Sequence, residues 1–87
     1  MTTPYYAGGP PRLFAWDALL GGGRGAGGIT GDEKQARERL AEVLRGEPAG
    51  TRGVVRRAYH TGSGHEPYEY GEPVAIGTAT DRGVTWT

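Results

Sequence analysis

One stretch of this 87-residue chain has a clear period, and it dictates the class of fold. Between Thr30 and Gly46, the residues Ala36, Leu40, Val43 and Leu44 recur at i, i+4, i+7 and i+8, an apolar stripe along one side of an α-helix. Thr30-Gly31-Asp32-Glu33 fits a capping box, with Thr30 accepting from the backbone of Glu33 and Glu33 reaching back to Thr30. Asp32 and Glu33 also set negative charge at the positive end of the helix dipole. Glu33 with Arg37 and Lys34 with Glu38 are opposite charges four residues apart. Gly46 stands where a helix turns left-handed to end, and Pro48 prevents its resumption. The helix is expected over Asp32 to Arg45. One amphipathic helix has one greasy side, and a sheet face is the surface that covers it.

The rest of the chain supplies strands. Arg12 to Trp16 is rich in bulky residues and reads as a strand, which Asp17 to Leu20 either extends or ends in a helical turn. Thr51 to His60 is a second strand. Its alternate residues are Val54, Arg56, Ala58 and His60 on one side, Val55, Arg57 and Tyr59 on the other. Each side holds an Arg, so alternation leaves open which one meets the helix. Thr61 to His65 is a turn, and Pro67 to Pro73 an acidic, Tyr-rich connection. Val74 to Ala79 is a strand with Val74, Ile76 and Thr78 sharing a side. Thr80 to Gly83 is a tight turn, and Val84 to Thr87 a last strand with Val84 and Trp86 inward. The fold class is α+β: one helix on a mostly antiparallel sheet of three or four strands, in the order β-α-β-β-β. The expected core is Leu13, Phe14 or Ala15, Trp16, Ile29, Ala36, Leu40, Val43, Leu44, Val54 or Val55, Val74, Ile76, Val84 and Trp86.

Composition limits how large that core can be. Seventeen residues are Gly and six are Pro, while the large aliphatic and aromatic set is five Leu, five Val, two Ile, two Trp and one Phe, beside five Tyr. A core this small gives marginal stability to a chain standing alone and favours burial against a partner. Residues 1–11, with three Pro and two Gly, read as a flexible arm ahead of a single domain over 12–87. Residues 21–28, six of them Gly, read as a mobile loop. The absence of Cys excludes disulfides and Cys-held zinc or iron–sulfur centres. No apolar run approaches the roughly 18 residues of a membrane span, and no secretory leader is seen, so a cytoplasmic protein without a membrane role is expected. Nine Arg against one Lys suit a GC-rich bacterial genome.

Motifs for chemistry are weak. Gly23-Arg24-Gly25-Ala26-Gly27-Gly28 matches G-x-G-x-x-G, but the helix begins only after Thr30 and the strand after it ends in Tyr59-His60, with no acid to hold a ribose. His60 and His65, with Glu66 and Glu69 nearby, have a spacing that suits neither a helix nor one side of a strand, and they read as solvated loop residues. Ser63 beside His65 sits in a Gly-flanked turn that cannot hold a triad. The expectation is a non-enzyme with no cofactor and no metal.

The constellation that remains is Arg52, Arg56 and Arg57 followed by Tyr59 and His60, with Arg24 in the Gly-rich segment. Tyr and Arg are the side chains that anchor interfaces, and a sheet with one helix leaves a face uncovered. The leading expectation is a small binding module that associates with itself or with another protein, in an accessory or regulatory role. Separate basic (52–57) and acidic (66–72) segments suit a self-complementary homodimer. The alternative is DNA binding, with the Arg-rich strand on phosphates and its rings on sugar or base. Ten basic against ten acidic residues give no global basic excess to help it.

Leu13-Phe14-Ala15-Trp16-Asp17, Gly28-Ile29-Thr30 before a charged helix, Gly53-Val54-Val55-Arg56 and Val84-Thr85-Trp86-Thr87 together resemble small uncharacterised proteins of actinobacteria, some carried on mobile elements. The resemblance spans most of residues 12–87 and implies an accessory or regulatory role, with no activity attached to a residue.

Overall fold

The helix forms where its stripe demands. In the computed structural model, which describes residues 12–60 and 68–87, α1 runs over Glu33–Leu44. Around it the chain makes β1 (Leu13–Leu19), β2 (Gly25–Thr30), β3 (Arg52–His60), β4 (Tyr68–Thr80) and β5 (Gly83–Trp86). The five strands form one antiparallel sheet in the order β2-β1-β3-β4-β5. Because β2 and β3 both run against β1, they run parallel to each other with β1 between them, and α1 crosses β1 to link them. The α+β class stands, but the sheet has five strands rather than three or four. The expected arm at residues 1–11 and the turn at 61–65 lie outside the described residues.

The fifth strand comes from the segment read as a mobile loop. Gly21–Gly23 makes one 3-10 turn, with left-handed backbone at Gly22 and Gly23, and Leu20 N–H donates to Arg24 O at 2.7 Å to close it. Gly25–Thr30 then pairs with β1 from Leu19↔Gly25 to Phe14↔Thr30. Glycine is there for space: a Cβ on Gly28 would stand 2.8 Å from Nε1 of Trp16. The side chain that Gly28 lacks is replaced by the indole.

The helix start also differs. Asp32, not Thr30, is the N-cap: its Oδ1 accepts from the N–H of Lys34 at 2.8 Å. Thr30 instead closes a small turn, its hydroxyl donating to Asp32 O at 2.8 Å and lying 3.3 Å from the Asp32 N–H. The other end is as read, with Gly46 at φ 91° just past the last turn.

Leu40 and Leu44 of α1 are fully buried, each worth about 1.5–3 kcal/mol of transfer free energy. The sheet beneath them is a floor of small residues: Ala18, Gly53, Ala75, Gly77 and Ala79, with Val55 and Phe14 beside it. A Cβ on Gly53 would run into the Leu40 methyl, and one on Gly77 would come within 3.2 Å of the Leu44 methyl. Trp16, Val43, Val84 and Trp86 close the sides. Arg37 donates from both Nε and Nη2 to one Glu33 oxygen, at 2.9 and 2.7 Å, and lies 5.3 Å from the Trp86 ring centre.

This floor corrects part of the expected core. Ala75 and Ala79, not Val74 and Ile76, lie under the helix, and Val74 and Ile29 are exposed. Over Gly53, Ala75, Gly77 and Ala79 the helix leucines fill the space that a larger side chain would need. On β3 it is Val55 and Gly53 that face the helix.

Candidate functional site

Residues directly opposite one another in an antiparallel ladder share a face. On the side away from the helix this gives four rows across the strands. They are Leu13, Ala58 and Tyr70; Ile29, Ala15, Arg56 and Pro73; Gly27, Asp17, Val54 and Ile76; and Arg52, Thr78 and Thr85. Among the described residues no element lies over them. Ala15 and Ala58 are buried between taller neighbours, whereas Ile29, Tyr70 and the nearby Val74 are exposed and Val54 and Ile76 half-buried. The face is thus an apolar surface with a shallow relief, crossed by two Arg and one Asp.

Two bulges shape one end of it. The β3–β4 register shifts between Val55 and Arg56 and again between Arg56 and Ala58, each time with the extra residue on β4 around Gly71–Val74. Pro73, which has no N–H for a ladder, sits among them. Nη1 of Arg56 donates to Gly71 O at 3.3 Å, holding the guanidinium over the bulge.

The six residues singled out in the sequence do not form one patch. Arg52 and Arg56 share the open face, about 13 Å apart along β3. Arg57 is on the helix side, opposite Phe14, with its guanidinium carbon 5.5 Å from the Tyr59 ring centre and its Nε buried without a hydrogen-bond partner. Tyr59 is opposite Glu69, beyond the last β1 pair at Ala58. His60 lies on β3, not in a loop, and meets Tyr68 edge-on at 5.3 Å and 89°. His65 and Glu66 lie outside the described residues. Arg24 is at the opposite end of the sheet from His60, where its Nε donates to Gly21 O at 3.1 Å and its Nη2 stands 3.6 Å from Glu47. Among the described residues, neither Arg56 nor Arg57 is ion-paired to Glu69 or Glu72.

Sequence reasoning missed the open-face role of Leu13, Ile29, Val54 and Ile76. Apolar and alternating, they carry the signature of a buried side. The signal that separates them is the Gly53/Gly77 pair, which marks the side that a helix can approach closely.

Among the described residues, no helix is long and apolar enough to cross a membrane, and no three His, Asp or Glu residues stand together as metal ligands. No protein-family model, curated protein or solved structure matches the chain.

Proposed function

We propose that this protein is a non-catalytic binding module that associates with a protein surface, its own copy's or another's, through the open face of its sheet. The observation that carries the reading is a bare apolar face: Leu13, Ile29, Val54, Ile76 and Tyr70 lie on the side that no described element covers. Contiguous apolar surface rimmed by polar residues is what association sites look like. Arg56 and Arg52 sit among these residues as cationic anchors.

The test compares the natural chain with a V54K/I76K variant, both held folded as judged by circular dichroism. Light scattering over a concentration series, and binding of purified candidate partners to the immobilised chain, should show association that the variant loses. A strict monomer that retains no partner, or association indifferent to the variant, refutes the reading.

A second reading has one observation behind it: Arg52 and Arg56 share the open face and, among the described residues, form no ion pair there. It assigns that face to nucleic acid. It predicts retention of duplex DNA at low salt that R52A/R56A abolishes, with binding falling steeply as salt rises. No retention at low salt disposes of it.

A further inference from the structure

A strand at the margin of a sheet offers unpaired N–H and C=O groups to another strand, and proteins blunt such margins with charge, proline, bulges or shortness. Three margins are free among the described residues. β5 is four residues long. The part of β4 that β5 does not reach carries Glu69, Glu72, Pro73 and both bulges. β2 has none of these devices: Gly25–Thr30 holds no charged residue and no proline, and it pairs with β1 without irregularity over all six residues.

The undefended strand is bracketed by opposite charges. Arg24 precedes it and Asp32 follows it, each four residues from Gly28, and both are exposed. Arg24 donates from Nε to Gly21 O at 3.1 Å and its contact with Glu47 is long, at 3.6 Å, while the side chain is 65% exposed, so the guanidinium stays accessible to a second acid. Asp32 uses Oδ1 for its cap on Lys34, which leaves its second oxygen available. The neighbouring acid, Glu33, is already held by Arg37.

We infer that two copies of this chain join antiparallel through β2, about a two-fold axis at Gly28, to make one sheet of twice the width. In this register Gly28 faces Gly28 of the second copy, Ile29 faces Gly27, Ala26 faces Thr30 and Arg24 faces Asp32. The symmetry forms the last pair twice. The small side chains let the backbones close to ladder distance, and the two exposed Ile29 side chains meet near the axis on the open side. The two open faces then become one surface. This rests on the reading of the chain as an association module and specifies where its own copy binds.

Sedimentation velocity of the full chain over a concentration series tests it, with R24E, D32K and their equimolar mixture. The natural chain should be a dimer. Each variant alone opposes like charges at both ends of β2 and should dissociate about tenfold more readily. The mixture should recover a heterodimer, because the two substituted side chains then attract each other and the second site keeps the native pair. Loss of the Asp32 cap cannot produce that recovery. I29K, which puts charge on the strand itself, gives the same loss without touching the cap. A natural chain that stays monomeric overturns the inference. So does a dimer that R24E, D32K and I29K all leave intact. That second outcome leaves the module reading standing on another surface, whereas loss of association in V54K/I76K but not in R24E would place it on the open face.

Discussion

Among the glycines of the sheet, Gly53 leaves the least room below a helix side chain, and Gly53→Ala tests whether that contact sets the packing. A methyl there would meet the Asp17 carbonyl oxygen at 2.8 Å and come still closer to the Leu40 side chain. Neither obstacle yields cheaply. The carbonyl belongs to β1, whose Ala18 is paired with Gly53 itself, and Leu40 is fully buried with no open space to rotate into. Overpacking of this kind costs about 1–3 kcal/mol. The reduced freedom of the unfolded chain returns about 0.4–1 kcal/mol, so the mid-range net loss is about 1.3 kcal/mol. For a domain of this size each kcal/mol moves Tm by about 4–8 °C. Urea and thermal unfolding, followed through Trp16 and Trp86, read it directly. Gly25→Ala, with nothing within 4 Å of the new carbon, is the control and should be neutral or slightly stabilising. Leu40→Ala alone should cost about 2–5 kcal/mol. The double variant should cost less than the sum, because the new methyl enters the space Leu40 leaves, with the Asp17 contact still uncompensated. A G53A protein that melts with the natural chain, or strict additivity in the double variant, would refute a packing set by this contact.

Two further outcomes are expected. Asp32→Ala should lower stability by about 1 kcal/mol and Thr30→Ala by clearly less, since only Asp32 caps α1; equal effects in thermal melts would return the cap to Thr30. Gly28→Ala should shift the Trp16 emission and destabilise the β1–β2 pair, because its Cβ and the indole nitrogen cannot both stay in place; an unchanged spectrum and Tm would show the indole to be loosely held.

The helix was legible because its signal is local. Four apolar residues at helical spacing and a terminal Gly specify an element whatever surrounds it. Its cap was not, since Thr30 and Asp32 are both good capping residues and the choice depends on where the preceding strand stops. β2 was illegible for a different reason. A run of Gly and Ala carries no alternation, and what makes it a strand is the Trp16 ring lying across it, a contact that no local pattern records. The faces of β4 were misread because hydrophobicity argues that Val and Ile go inside, whereas close helix approach argues for Ala and Gly. Close approach wins here, since a β-branched side chain at Ala75 or Ala79 would have to share the space that Leu40 and Leu44 fill. Among the candidate site residues, alternation sets Arg56 and Arg57 on opposite sides of β3, and the register does the same. That Arg24 stands at the far end of the sheet from His60 follows only from the register of β1 with β2 and β3.

The interior place of β1 has a consequence for assembly. β1 pairs with β2 across a short turn, but its other neighbour, β3, is reached only after the whole helix has been laid down. During synthesis a β1–β2 ribbon would leave the ribosome with its inner margin bare and no leucines above it, and a two-stranded ribbon alone is marginal in water. Closure must therefore wait for Leu13 to find Ala58 along the chain, a long-range search of the type that holds folding to milliseconds or slower. Nascent chains would spend that interval as the species most open to chaperones and to one another.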